Sequence, residues 1–188
     1  PMVFWDELTG QEDAVALVEH AAAAPAAMTH AWLVTGPPGS GRSTLAAAFA
    51  AALLSHGEDA EGTARVRAQV AARTHPDLIS LATDRVVITV DEVRSIVSRS
   101  YTSPSVGAWR VVVIEDADRM AERTSNVLLK ALEEPPPRTV WILCAPSEAD
   151  LLPTIRSRVR SVRLRVTSVA DVAAPLVGRD GGAPEVAE

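Results

Sequence analysis

Eight consecutive residues, 36–43, limit the fold of this chain more tightly than any other segment. They read Gly-Pro-Pro-Gly-Ser-Gly-Arg-Ser. An apolar run, 31–35, precedes them and is typical of a buried strand, while the Ala/Leu-rich stretch 44–54 that follows favours a helix. Glycines let backbone N–H groups turn inward around an anion, and the N-terminus of the following helix adds a favourable dipole. The segment therefore predicts a phosphate-binding loop between a strand and a helix.

The loop matches the P-loop pattern G-x-x-x-x-G-K-[ST], except that Arg42 occupies the position of the lysine. A guanidinium fills more space than an ammonium and cannot act as the same compact point charge. From the loop alone, a Gly/Pro turn that only joins a strand to a helix remains an alternative. If the loop binds phosphate, the predicted contacts are nine residues: Gly36, Pro37, Pro38, Gly39, Ser40, Gly41, Arg42, Ser43 and Thr44.

Apolar runs and helical periodicities alternate along the rest of the chain. Strands are predicted at 31–35, 78–81, 110–114, 140–144 and 162–165. Helices are predicted at 11–24, at 44–54, after a capping box at Thr89 and Glu92, and from a cap at Thr124 or Ser125 up to Pro135. The mixed segment 55–75 is predicted to be a helical excursion or a loop. Because strands that alternate with helices form βαβ units, the sequence predicts an α/β fold with three layers and a central five-stranded parallel sheet.

Length and composition bound the number of domains. With 188 residues, of which 47% are hydrophobic and 22% charged, the chain fits one soluble domain with a proper core. The final residues, 178–188, are rich in Gly, Ala, Pro and Glu. We therefore expect a core domain over 1–167. Over 168–188 we expect the start of a lid domain, or a flexible linker, of a longer subunit.

Charge and cysteine content exclude several classes of function. The formal net charge of −6 argues against strong nucleic-acid binding through the overall electrostatic field. A single cysteine, Cys144, cannot form an internal disulfide. No apolar stretch is long enough to span a membrane and no signal-peptide pattern is visible, so we expect a cytoplasmic protein with no membrane partner.

An acidic pair, Glu115 and Asp116, directly follows the strongly apolar strand 110–114. We expect this strand to lie next to the strand of the phosphate loop, where a nucleotide hydrolase needs one carboxylate to hold Mg²⁺ and a second to polarise water. The usual order is Asp-Glu, and here it is inverted. In the usual order the Glu side chain polarises the water. Because an Asp side chain is shorter, Asp116 would reach that water poorly. A solvated strand end is the alternative explanation of the pair.

Several runs together resemble the nucleotide-binding domain of clamp-loader subunits of bacterial DNA polymerase III, which are AAA+ proteins. They occur in order along the chain, at 3–11, 36–43, 74–78, 114–120, 128–136 and 152–158. The run 128–136, Leu-Leu-Lys-Ala-Leu-Glu-Glu-Pro-Pro, is the most specific of them. The resemblance covers roughly residues 3–166. It implies a subunit of the machine that places the ring-shaped sliding clamp on primed DNA, with gamma/tau and delta subunits, the clamp and DNA as partners. It also implies ATP or ADP, with Mg²⁺, as the ligand.

Departures from the family's pattern indicate which kind of subunit this is. The family often carries four zinc-binding cysteines between the P-loop helix and the His-Pro-Asp-Leu run, but residues 55–75 contain none, so we expect no zinc. The lysine is replaced by Arg42, the acidic pair is inverted, and the polar residue expected near the γ-phosphate falls at Pro146 or Ser147. These differences favour a delta-prime subunit, which typically does not hydrolyse ATP.

Two other functions stay open. The first is an active gamma/tau-type motor in which Arg42 and the acidic pair still work. The second is an unrelated P-loop kinase or transferase, which would need a lid with phosphate-binding arginines that the sequence does not show.

Residues 157–159, Ser-Arg-Val, resemble the family's Ser-Arg-Cys motif. In the family this arginine projects toward the ATP of the neighbouring subunit, so the resemblance implies that Arg158 is an arginine finger acting in trans. The planar guanidinium suits that role because it stays charged and stabilises the charge of the transition state. The alternative is that Arg156, Arg158 and Arg160 form one solvated basic face.

Overall fold

The computed structural model describes residues 8–105 and 107–165. These residues lie within the core expected over 1–167, while the segment 168–188 lies outside the described residues. The helices are α1 (Glu12–Ala23), α2 (Arg42–Leu54), α3 (Ala60–Ala71), α4 (Val90–Ser100), α5 (Glu122–Glu133) and α6 (Pro153–Arg156). The strands are β1 (Ala31–Thr35), β2 (Leu78–Leu81), β3 (Arg110–Ile114), β4 (Thr139–Ala145) and β5 (Arg160–Arg163).

The five strands form one parallel sheet in the order β2-β3-β4-β1-β5. β1, β3 and β4 are buried along their whole length, as expected of apolar runs in the middle of a sheet covered on both faces. The order confirms the predicted fold class. It shows one prediction to be wrong, because β4 lies between β3 and the phosphate-loop strand β1. β3, which leads into Glu115 and Asp116, is therefore separated by one strand from β1, which leads into the phosphate loop.

Helices cover both faces of the sheet, and the alternation of side chains along β1 shows which helices lie where. Trp32 and Val34 pack in a core with α1, α2 and α3, whereas Leu33 points to the opposite face, toward α4, α5 and α6. The rings of Trp32 and Phe49 meet edge to face, with centroids 5.1 Å apart. The Ala-rich sequence of α2 lets this helix lie close to the sheet, which fixes where its N-terminus and the loop before it are placed.

Two local predictions need correction, and the structure decides between the two alternatives predicted for 55–75. Helix α5 begins at Glu122 with Ala121 as its N-cap, so Thr124 and Ser125 are not caps; both are buried on the inner side of the helix. β5 begins two residues earlier than predicted and ends at Arg163. The segment 55–75 contains a regular helix, α3, which Asp59 caps by accepting a hydrogen bond from the backbone N–H of Gly62.

A buried polar cluster holds the loop that precedes β3. Asp77 is fully buried and accepts hydrogen bonds from the backbone N–H groups of Ser105 and Gly107. Arg110, also buried, lies 3.8 Å from the same carboxylate and donates to the carbonyls of Thr102 and Ser103. Because every charged group here is paired, the cluster explains the Asp of the His-Pro-Asp-Leu run structurally.

None of the helices within 8–105 and 107–165 is long and apolar enough to cross a membrane. Within the same ranges, no group of three or more His, Cys, Asp and Glu side chains is arranged to hold a metal ion.

Candidate nucleotide site and arginine finger

The backbone of the phosphate loop has the shape its glycines predict. Gly39 and Gly41 have φ of 82° and 100°, a left-handed region that other residues rarely adopt. Gly36 has no room for a side chain, since a Cβ there would lie 2.5 Å from the Ser40 hydroxyl oxygen. Gly41 is also the N-cap of α2 and offers no side chain to the first N–H groups of that helix. The first turn of α2 therefore keeps donors for an anion.

Two hydroxyl groups next to the loop are buried without a hydrogen-bond partner in the part of the chain that the structure describes. One is Oγ1 of Thr35, the last residue of β1, and the other is Oγ of Ser40 in the loop itself. A buried hydroxyl without a partner is costly, so both groups favour a polar ligand at this place. Together with the free N–H groups of α2, they fit a phosphate.

Arg42 does not extend as a phosphate-binding lysine would. Its Nη1 donates a hydrogen bond to the carbonyl oxygen of Gly36 at 2.8 Å, so the side chain bends back over its own loop. Gly36 in turn donates from its N–H to the carbonyl of Pro146, at the end of β4. Arg42 therefore supports its own loop through one hydrogen bond, and the loop is hydrogen-bonded to the segment that follows the neighbouring strand.

The acidic pair lies at the same edge of the sheet as the loop, with β4 between them. In the strand register Thr35 is paired with Ala145 and Ile114 with Leu143, so Glu115 and Asp116 continue beside the last residues of β4. Adjacent strands are about 4.8 Å apart, which separates the β1 and β3 axes by about 10 Å. The structure thus brings the two predicted parts of a nucleotide site to one edge.

Glu115 is held by an arginine that the sequence analysis did not identify. Nη2 of Arg73 lies 2.8 Å from Oε1 and 3.1 Å from Oε2 of Glu115. Asp116 lies 3.9 Å from the Arg119 guanidinium, which also donates to the carbonyls of Thr83 and Arg85. Each carboxylate of the pair therefore faces a guanidinium, an arrangement that disfavours a divalent cation at Glu115.

Cys144 lies between the loop and the acidic pair. Burial raises the pKa of its thiol to about 12; the negative charges of Glu115 and Asp116 also raise this pKa, while Arg42 lowers it. Its Sγ is 4.0 Å from the carbonyl oxygen of Arg42. The thiol stays protonated, so it fills space beneath the loop as a small apolar group.

The polar position expected after β4 is used for folding. The Ser147 hydroxyl donates to Oδ2 of Asp150 at 3.1 Å, and the same carboxylate accepts from the Ser147 backbone N–H. These two hydrogen bonds, both donated by Ser147, hold the start of the short helical turn Glu148–Asp150. Pro146 has no polar side chain, so neither residue offers a free group to a γ-phosphate.

Arg158 is exposed, just after α6, and a network of contacts fixes its guanidinium. Nη1 donates to the carbonyl oxygen of Thr154 at 2.8 Å and to the hydroxyl of Ser157 at 3.1 Å. Nη2 lies 2.9 Å from Oε1 of Glu133, the last residue of α5. Arg156 and Arg160 are exposed as well, and the guanidinium of Arg160 lies 5.0 Å from the ring centroid of Trp32.

The resemblance implies ATP or ADP as the ligand, and some features of the site fit such a ligand better than others. Positive-φ glycines, the N-terminus of α2 and the Thr35 and Ser40 hydroxyls fit a phosphate group. The side chains that would serve the β- and γ-phosphates and Mg²⁺ fit less well, since Arg42 and Glu115 make contacts within the chain. The geometry of the loop therefore fits a phosphate group better than it fits phosphate hydrolysis.

The fold and the loop define the class of protein, a P-loop NTPase-type domain, and solved structures agree. A gamma subunit-related DNA polymerase III protein of Thermotoga maritima superposes with a TM-score of 0.64 at 22% identity, covering 92% of this chain and 56% of that one. The RuvB Holliday junction branch migration motor of the same organism gives 0.62 at 21% identity, covering 92% and 51%. At these identities the likeness shows the fold alone.

The sequence comparisons identify the family. The model of the DNA polymerase III delta subunit family matches residues 10–168, and the chain belongs to that family. The DNA polymerase III subunit delta' of Pseudomonas aeruginosa is 39% identical over 134 residues, and that of Escherichia coli K12 is 35% identical over 136. These alignments cover 69% and 70% of this chain and 41% of each relative, so the chain spans about two fifths of their length. The resemblance to delta-prime subunits that the sequence predicted is confirmed.

Two charged residues of the site escaped the sequence analysis. Arg73 follows α3 and is 42 residues from its partner Glu115, while Glu133 is 25 residues from Arg158. No local spacing connects either pair, because the contacts depend on the packing of helices against the sheet. The only available signal for Glu133 was its place within the most specific run of the sequence, 128–136.

Proposed function

We propose that the chain is the nucleotide-binding-type domain of a delta-prime-like subunit of the replicative clamp loader. In this role it helps to place the sliding clamp on primed DNA and acts as a rigid stator. It does not hydrolyse ATP itself, and it supplies Arg158 to the active site of a neighbouring subunit. The gamma/tau and delta subunits are its proposed direct partners, and the clamp and DNA are reached through the complex.

One observation carries the proposal of a non-hydrolysing subunit. Arg42, at the position that should serve the β- and γ-phosphates, donates to Gly36 of its own loop at 2.8 Å. This hydrogen bond uses one of the five guanidinium donors and draws the side chain back over its own loop, which disfavours the extended position from which a lysine serves the phosphates. The ion pair of Arg73 with Glu115 supports the same conclusion for the carboxylate that would hold Mg²⁺.

The exposure of Arg158 supports its assignment to a neighbour's site. Its side chain is 36% exposed, and its guanidinium can donate five hydrogen bonds, more than its contacts in this chain use. The residue follows α6 and precedes the edge strand β5, so a partner can approach it from outside the sheet.

We further propose that 1–167 form the core and 168–188 begin a lid or linker. Cytoplasmic location follows from its proposed place in the replication complex.

The test is ATP turnover by the full-length subunit, alone and assembled with its partners. Alone, we expect turnover far below the usual enzyme range of about 1 per second. In the complex, Arg158→Ala should lower DNA-stimulated turnover and clamp loading. At the one site that uses Arg158, the loss should approach the roughly 10³-fold or more that an arginine finger provides.

The control is Arg156→Ala, an exposed arginine at the end of α6, which should be close to neutral. Turnover near 1 per second by the subunit alone would favour the gamma/tau-type motor instead. Equal effects of Arg156→Ala and Arg158→Ala would remove the finger assignment.

A further inference from the structure

We propose that Glu133 is the positioning residue for the arginine finger: it holds the Arg158 guanidinium in the orientation in which a neighbouring nucleotide meets it. This inference rests on the proposed function and adds a residue to it. It also assigns a role to the end of the run 128–136, which otherwise serves only to identify the family.

Three contacts define the orientation of Arg158. The Thr154 carbonyl and the Ser157 hydroxyl both accept from Nη1, and both belong to the helical turn on which Arg158 itself sits. With those two contacts alone, the guanidinium would be fixed only relative to its own helical turn and would move with that turn. Glu133, 2.9 Å from Nη2, is the contact that comes from a different element. It fixes the second end of the guanidinium relative to α5.

The position of Glu133 is determined by the sequence around it. Leu128, Ala131 and Leu132 are buried against the sheet, which fixes the rotation of α5. Pro135 cannot continue a helix and restricts the residue before it, so the helix ends at Glu133. The carboxylate is therefore presented at the C-terminal end of α5, where the helix dipole also favours a cation such as Arg158.

The pair is suited to orienting the arginine without sequestering it. The two side chains are 36% and 43% exposed, and an ion pair in contact with water is weak. A nucleotide phosphate carries more charge than one carboxylate and can take donors of the same guanidinium that Glu133 leaves free. Pre-orientation lowers the ordering cost at the moment of binding, which is the usual benefit of a fixed catalytic group.

The experiment uses the full-length subunit assembled with its partners, and it measures kcat and KM for DNA-stimulated ATP turnover. The part of turnover that Arg158 supports is the difference between wild type and Arg158→Ala. In Glu133→Ala this part should fall about two- to fivefold, at unchanged KM. Glu133→Gln, which keeps an acceptor oxygen in the same place, should recover some of the loss. Glu134→Gln, the same chemical change at the next, exposed residue, is the matched control and should match wild type.

A double variant separates positioning from a structural effect. If Glu133 acts through Arg158, then Glu133→Ala should cause no further loss in the Arg158→Ala background, and melting temperatures should stay unchanged. Equal losses in both backgrounds, or wild-type or faster turnover in Glu133→Ala, would overturn the inference. If Arg158→Ala lowers turnover and Glu133→Ala does not, the positioning role of Glu133 is wrong while the finger assignment stands. If Arg158→Ala itself changes nothing, the finger and its positioning residue both fall.

Discussion

Arg73 and Glu115 form an ion pair across 42 residues of sequence, with Nη2 at 2.8 Å from one carboxylate oxygen and 3.1 Å from the other. Arg73 lies just past α3 and has a φ of 58°, a left-handed conformation that is uncommon for a residue with a side chain. Such a conformation costs about 1 kcal/mol, so the surrounding structure must impose it. It brings a cation to the carboxylate that would otherwise be open to Mg²⁺.

Replacing Arg73 with alanine should make nucleotide binding more dependent on Mg²⁺. Without the guanidinium, Glu115 keeps its negative charge free for a divalent cation at the edge of the site. The ratio of ADP affinities with and without Mg²⁺, from calorimetric titration of the full-length subunit, should rise a few-fold. Because Arg73 is 54% exposed, stability should change by only about 0–1 kcal/mol.

Arg67→Ala is the matched control for this change. Arg67 lies on α3, close in sequence to Arg73, and is half-buried on that helix. Its removal should leave the Mg²⁺ ratio at the wild-type value. The same ratio in wild type, Arg67→Ala and Arg73→Ala would mean that the ion pair does not govern access of the cation to Glu115.

Three of the five strands could be predicted with the correct bounds because each is a mostly apolar run with clear limits. β1, β2 and β3 have the predicted bounds; Gly36 follows the run of β1 and Glu115 follows the run of β3. β5 could not be placed as well, because its sequence alternates arginine with small and apolar residues and gives no sharp start. Its bounds depend on pairing with β1, which is a long-range contact.

The sequence predicted which residues belong to the candidate site, but it did not predict the strand order or the ion-pair partners that place them. The loop, Glu115 and Asp116 follow from local patterns, and Arg158 follows from the family resemblance; the structure brings the first three to one edge of the sheet. The strand order that puts β4 between them is a property of the whole sheet. Likewise, the partners Arg73 and Glu133 reach the site only through the packing of α3 and α5.

Arg160, although exposed, should contribute to stability. Its guanidinium lies 5.0 Å from the ring centroid of Trp32, its register partner on β1, and Trp32 is fully buried. Arg160→Ala removes a cation–π contact and uncovers part of the ring, which should cost about 0.5–2 kcal/mol in urea unfolding. Arg163→Ala, on the same strand and exposed, should change stability by less than about 0.5 kcal/mol. Equal effects of the two would contradict a specific role of the Trp32 contact.

Gln11 should be a stabilising residue at the edge of the sheet. Its side-chain amide donates to the carbonyl of Arg165 at 2.9 Å and accepts from the N–H of the same residue at 3.0 Å, so it extends the hydrogen bonding past the end of β5. Gln11 is 3% exposed. Gln11→Ala leaves two backbone groups without partners and should cost about 1–3 kcal/mol in urea unfolding. Gln69→Ala on α3 is the control. If Gln11→Ala cost no more than Gln69→Ala, water would be satisfying the two backbone groups in place of the Gln11 amide.

The Cys144 thiol should give the fold a pH dependence at the alkaline end. Burial raises the pKa of this thiol from its ordinary value of 9.0 to about 12. Because the folded state has the higher pKa, the contribution of the neutral thiol is complete below pH 9 and is lost as pH rises from 9 to 12. Between these values the free energy of unfolding, from urea titrations, should fall more steeply in wild type than in Cys144→Ala. The excess slope should approach about 1.4 kcal/mol per pH unit. Parallel curves would contradict a buried, protonated thiol.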